Sequence, residues 1–187
     1  DIFVYLKERE QVGRVGDYMT QQEDLTEKMR AILADWLVEV HWKFKLQQET
    51  LSLTVHLLDT YLSKKQVKRQ KLQLVGVTCM LLAAKHEEIY PPEIKDFVHV
   101  TDRAYTRQEI LDMEVTVLNT IGFQLTHPSG RQFLMRYVKL MGAQSVEHAA
   151  LAEYSLELSL VNYRSMRYAP SHLGAASLLL ANKILKV

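Results

Sequence analysis

Seven histidines and one cysteine are the side chains in this sequence best suited to metal binding or nucleophilic chemistry. A helical zinc site of the H-E-x-x-H type needs two histidines at i and i+4, because that spacing puts both on one face. Among His41, His56, His86, His99, His127, His148 and His172 no such motif occurs. His86-Glu87-Glu88 comes nearest, but it lacks a second histidine one turn on and reads as a helix end among solvated acids. Cys79 sits inside an apolar run, where a thiol behaves as an inert small hydrophobe. No G-x-x-x-x-G-K-[ST] or G-x-G-x-x-G run signals a phosphate cradle, and no G-x-S-x-G signals a nucleophile elbow. The expectation is a protein with no catalytic residue, no metal and no cofactor, which acts by binding.

Charge narrows the class of partner. The 187 residues carry 23 basic and 22 acidic side chains, a net charge of +1, and 48% of them are hydrophobic. A dedicated nucleic-acid binder usually shows a basic excess. Lys64, Lys65, Lys68, Arg69 and Lys71 do concentrate five positive charges. They read either as a nucleic-acid or import patch or as a solvated interhelical loop, and the loop is the preferred reading. A lone cysteine cannot form an internal disulfide, and neither a signal peptide nor an N-x-[ST] site is visible. The longest uncharged apolar-rich run, Leu72 to Ala84, is 13 residues, short of the roughly 20 needed to span a bilayer. A soluble intracellular protein with no membrane contact is expected.

The elements that position these side chains are helices. Gly and Pro are scarce, and apolar residues recur with helical period almost throughout. The spacing predicts helices at about 2–9, 28–45, 49–63, 71–87, 92–98, 106–120, 129–142, 145–163 and 171–186. Thr106 with Glu109 spells a capping box. Pro91 and Pro92 prepare a short helix at Glu93, and Ser171 after Pro170 is placed as an N-cap. The fold class is all-α.

An offset of 98 residues exposes an internal repeat. Glu49–Lys85 and Glu147–Lys183 align without gaps and agree at ten of 37 positions, where composition alone would give roughly three. Gly76 recurs as Gly174, and Leu81-Leu82-Ala83 recurs as Leu179-Leu180-Ala181. Two copies of one helical unit are implied, joined near residues 122–129. The first has five helices and the second three, about two fewer in this chain. The third helix of the first copy, Leu72–Lys85, is apolar on most faces and should sit centrally, with Gly76 letting a neighbour approach.

The stretch MRAILADWLVEVHWKF, Met29 to Phe44, carries more apolar surface than one core-facing stripe requires. Lys85 and Glu114 are opposite charges beside apolar surface. Buried and unpaired they would cost stability, so both are expected at a rim, open to an incoming chain.

MRAILADWLVEV, LQLVGVTCMLLAAKHEEIYPPEIKDFV and YTRQEILDMEVTVL resemble the cyclin box of the A/B-type mitotic cyclins, with the B-type favoured. Gly16-Asp17-Tyr18-Met19 upstream also fits, and FLMRYVKL and APSHLGAASLLLANKIL extend the resemblance, more weakly, through the second repeat. It implies two tandem five-helix cyclin boxes after a short N-terminal helix, the second incomplete in this chain. The implied domains are 1–27 for the N-terminal helix and connecting segment, 28–124 for the first box and 125–187 for the second. It also implies a non-catalytic subunit that binds and activates a cyclin-dependent kinase in G2/mitotic control, in nucleus and cytoplasm.

By the same resemblance, Lys85 and Glu114 match the pair that hydrogen-bonds kinase backbone. Leu118, Phe123, Leu125 and Ile2 match apolar kinase-facing positions. His86 stands where these cyclins usually carry Phe or Tyr. Met29, Ile32, Leu33, Trp36 and Leu72 match the apolar floor of a groove for R-x-L peptides, Glu39 the acid that pairs the peptide's Arg or Lys, and Gln73 a backbone-binding position. Arg30 and Asp35 match residues that hold the helix in the box, while Leu37, Val40 and Phe44 should join its core. Trp42 has no assigned role. Two other readings stand beside this one: a cyclin-fold transcription factor, disfavoured by the near-zero net charge, and a helical adaptor that binds no kinase.

Overall fold

The computed structural model describes residues 1–141 and 146–186. Among them are nine α-helices: α1 (Ile2–Val12), α2 (Glu27–Phe44), α3 (Gln48–Leu62), α4 (Arg69–Glu87), α5 (Ile94–Val100), α6 (Arg107–Ile121), α7 (Gly130–Leu140), α8 (Val146–Val161) and α9 (Pro170–Leu185). Two 3₁₀ turns, Met19–Gln21 and Tyr163–Arg167, were not expected; each is under two turns long and leaves no periodic trace. Each predicted helix has a counterpart, with ends within a few residues. The expected ends at Gly142 and Ser145 lie outside the described residues. No described helix is long and apolar enough to cross a membrane.

The chain forms two compact units, Asp17–Thr126 and Asp1–Gly16 with His127–Val187. Residues 1–27 are therefore shared between them, with α1 belonging to the unit that holds α7, α8 and α9.

In the first unit α4 is central, packed by α2, α3, α5 and α6. Every residue from Leu74 to Ala84 is buried, Cys79 included. Burial, with Asp59 nearby, pushes the Cys79 thiol up, away from the reactive thiolate. Gly76 has the expected role: a Cβ there would lie 2.9 Å from both δ-carbons of Leu33. Thr106 and Glu109 form the capping box that opens α6, and Glu93 with Asp96 forms another that opens α5. Arg30 is fully buried, donating from Nε and Nη2 to the two carboxylate oxygens of Asp59 at 2.8 and 2.7 Å, and Tyr18 donates to the same carboxylate at 2.7 Å. Asp59 and Tyr18 raise the Arg30 pKa against the opposing effect of burial. Arg30 thus holds α2 as expected. Asp35 is exposed and forms no ion pair among the described residues.

The second unit packs α7, α8 and α9 around Leu134, Ala152, Leu156, Leu178 and Ala181. Gly174 repeats the logic of Gly76 more tightly, since a Cβ there would meet the Gly130 carbonyl oxygen at 2.8 Å and the Leu134 nitrogen at 3.0 Å. Ser171 does not cap α9. Pro170 takes the first helical position, so Ala169 is the N-cap, and the Ser171 hydroxyl donates to Glu10 of α1. Leu179 and Leu180 are exposed, although their counterparts Leu81 and Leu82 are buried. In the first unit α5 and α6 also pack on α4; no equivalent helices lie among the described residues of the second.

Candidate functional site

Two surfaces of the first unit hold most of the predicted site residues. One is built where the C-terminal end of α4 meets α6. The Lys85 ammonium lies 2.6 Å from the Glu114 carboxylate, with the Glu114 side chain only 12% exposed. This corrects the expectation of two charges open to a partner. Packing of α4 on α6 brings them together, and ion pairing offsets the cost of holding a carboxylate beside apolar surface. The Lys85 side chain remains 42% exposed and keeps donors for a further acceptor.

The sequence-predicted residues on and just after α4 and α6 are accessible to different degrees. His86 is exposed, 4.0 Å from Glu87. Leu118 and Leu125 are half-buried. Phe123 is 64% exposed and left-handed, with φ 59°. A bulky side chain there is strained, and its backbone is held by donation to the Leu118 carbonyl at 3.0 Å. Strain of this kind persists where the surroundings fix it, often at functional positions.

Three further exposed residues lie on or just after α4 and α6. Val115 on α6, and Ile89 and Tyr90 just after α4, are large, apolar and exposed. The signal for Val115 was present. Ile110, Val117 and Ile121 make the buried stripe of α6, and Leu111, Val115 and Leu118 form a second apolar stripe that is half-buried at Leu111 and Leu118 and exposed at Val115. Ile89 and Tyr90 lie in a loop, where no periodicity reports exposure.

The other surface lies on α2 and the start of α4. Met29, Ile32, Leu33 and Trp36 follow a single stripe of α2 at i, i+3, i+4 and i+7. Leu33 is buried over Gly76, Met29 and Trp36 are half-buried, and Ile32 is exposed. Leu72 is buried and Gln73 half-buried on α4. Glu39, one turn beyond Trp36, is exposed. On the core side of α2, Leu37 and Val40 are buried, and Phe44 packs edge-on against Phe97 with ring centres 5.2 Å apart. Trp42 is exposed and meets the buried His41 ring edge-on. It shares the solvent side of α2 with Asp35 and Glu39.

Ile2, the remaining predicted residue, is exposed near the start of α1 in the second unit. Among the described residues no group of three His, Cys, Asp or Glu side chains could hold a metal ion.

Residues 1–126 match the family described as cyclin, N-terminal domain, and residues 128–187 match cyclin, C-terminal domain. The chain is 50% identical to the G2/mitotic-specific cyclin-B of Marthasterias glacialis over 187 residues, which is 100% of this chain and 48% of that protein. It is 45% identical to the G2/mitotic-specific cyclin-B of Dictyostelium discoideum over 185 residues, 98% of this chain and 42% of that one. The chain thus spans about half the length of the curated relatives it matches. Among solved structures, a viral cyclin from herpesvirus saimiri superposes with a TM-score of 0.88 at 21% identity, covering 98% of this chain and 82% of that one. A chain of the yeast RNA Pol II CTD kinase CTDK-1 complex superposes with a TM-score of 0.74 at 14% identity, covering 96% of this chain and 60% of that one. Both halves of the sequence match, and close relatives align along its whole length: the chain belongs to the cyclin family.

Proposed function

We propose that this chain is a non-catalytic regulatory subunit that binds and activates a cyclin-dependent kinase in mitotic control, working in nucleus and cytoplasm. The observation that carries the reading is the first surface. Val115 follows Glu114 on α6, Phe123 stands just past the end of α6, Ile89 and Tyr90 stand just past the end of α4, and all four are exposed, while Lys85 of α4 pairs with Glu114 of α6. Exposed apolar side chains on and just after two helices that also carry a polar pair suit a partner protein. The partner gains apolar burial, and Lys85 and Glu114 offer hydrogen bonds to its backbone. A cyclin so docked favours the inward position of the kinase's regulatory helix, in which the kinase's glutamate meets its catalytic lysine.

The α2 surface serves a second purpose in this reading, recruiting substrate or inhibitor peptides with R-x-L motifs. Trp36 and Ile32 supply apolar contact for the leucine, Glu39 pairs the arginine, and Gln73 bonds the peptide backbone.

Phosphotransfer by candidate cyclin-dependent kinases mixed with the chain tests the first proposal. Activation is expected, and Lys85→Ala or Glu114→Ala should weaken kinase binding by about 10-fold or more. No activation of any kinase, with both variants binding as the parent, would refute it. Trp36→Ala should weaken R-x-L peptide binding by a similar factor and leave kinase activation intact. Equal loss of both would show damage to the unit instead of a separate peptide surface.

A further inference from the structure

Helix α1 has two unlike faces. Phe3, Lys7 and Glu10 line one, and each has a partner in the second unit, as does Arg14 just beyond the helix. The Phe3 ring lies 4.3 Å from the Arg136 guanidinium, and the Lys7 ammonium is 6.0 Å over Phe133. Arg14 donates to the Arg167 carbonyl at 2.6 Å. Ile2, Tyr5 and Val12 line another face at i, i+3 and i+10, and all three are exposed.

Glu10 fixes the relation between the two faces. It is fully buried although it carries a charge. One carboxylate oxygen accepts the Ser171 backbone N–H at 2.9 Å, and the other accepts the Ser171 hydroxyl at 2.9 Å and the Lys7 ammonium at 3.1 Å. Lys7 also donates to the Ser171 hydroxyl oxygen at 2.7 Å, closing the cluster. Proline has no N–H, so the Ser171 amide is the first donor that α9 presents, and Ala169 offers no side chain to cap it. A residue of α1 therefore does the capping, with a negative charge where the dipole of α9 favours one. A slip of α1 by one residue would withdraw the carboxylate and turn the outer face by ~100°.

We propose that Glu10 is a positioning residue for kinase binding: by capping α9 from α1, it fixes the orientation in which α1 presents Ile2, Tyr5 and Val12 to the kinase. This rests on the reading above, in which Ile2 is a kinase contact.

The test is a double-mutant cycle on the whole chain, with affinity measured for a cyclin-dependent kinase that the parent activates. Ile2→Ala and Glu10→Gln should each lower affinity, by roughly 5- to 10-fold. In the Glu10→Gln background Ile2→Ala should cost less than about 2-fold more, because the face is already misplaced. A merely structural role for Glu10 predicts losses that multiply, and that result overturns the proposal. So does kinase affinity unchanged by Glu10→Gln, or by Ile2→Ala in the parent. Should Glu10→Gln not fold, Ser171→Ala removes one bond of the cap and enters the same cycle with the same expected sign. A parent chain that binds and activates no kinase defeats the kinase reading itself, whereas a parent that binds with an additive cycle defeats only the role of Glu10.

Discussion

Burial treats the charged and titratable groups of this chain in two ways. Arg30 and Glu10 remain ionised because each is paired with an opposite charge and hydrogen-bonded. For Glu10, burial alone would raise the carboxyl pKa, but the Ser171 amide and hydroxyl and the Lys7 ammonium together hold it below its usual 4.5. His127 takes the other course. Burial pushes its imidazole down to about 4, with Glu10 opposing the shift and Arg9 reinforcing it. Unfolded, the same histidine titrates near 6.5. Between those values the unfolded chain binds a proton that the folded one does not, so stability falls as pH falls, by on the order of 3 kcal/mol at pH 4. The Glu10 contribution is lost on further acidification, as the carboxyl protonates. Thermal unfolding from pH 7 to pH 4 should therefore show a falling midpoint, and His127→Asn should flatten the upper part of that decline. An unchanged profile would rule out a neutral buried imidazole. Residue-scale roles were legible where a side chain answers to its own helix, as Thr106 does to Glu109. They were not legible where the answer comes from a distant part of the chain. Ser171 has an N-cap residue's chemistry but stands at the second position of α9 and serves a carboxylate 161 residues away, and Lys85 and Glu114 look like two open charges in the sequence because nothing local pairs them.

Element by element, the sequence was a good guide because the helices obey local rules. Capping boxes open α5 and α6, and the excess apolar content of α4 correctly marked the centre of its unit. The 98-residue repeat also survives as geometry. Gly76 and Gly174 occupy corresponding points on α4 and α9, and each lets another helix come close. The neighbours differ: Gly76 meets the end of the Leu33 side chain, while Gly174 meets backbone of α7. A side chain can rotate away, whereas a helix backbone must move as a body. Gly174→Ala is therefore expected to destabilise by about 2–3 kcal/mol and Gly76→Ala by about 1 kcal/mol or less. Unfolding midpoints of the two variants check the order, and a larger loss at Gly76 would contradict it. The excess apolar surface of α2 had a physical origin that the pattern could only hint at. Leu33, Leu37 and Val40 go to the core, and Ile32 and Trp42 remain in solvent.

At the scale of the whole molecule, repeated sequence does not mean repeated environment. Leu82 is buried against the packed helices of its unit, while its counterpart Leu180 is 47% exposed. Leu82→Ala should cost about 2–5 kcal/mol, and Leu180→Ala should stay within about 1 kcal/mol of the parent in this chain. Equal losses would mean that α9 is covered as α4 is. The division into units was only partly readable, because hydrophobic pattern reports which face a helix buries and never which part of the chain covers it. Helix α1 is the clearest instance: it comes first in the sequence and folds with the last helices. That arrangement has a consequence for synthesis. The Ser171 anchor of Glu10 is translated 161 residues later. At about 5–20 residues per second, α1 spends roughly 8–30 s outside its resting place while the whole first unit is made and can fold. Its side chains are without their folded partners throughout that interval, and the second unit can close only after Ser171 has left the ribosome.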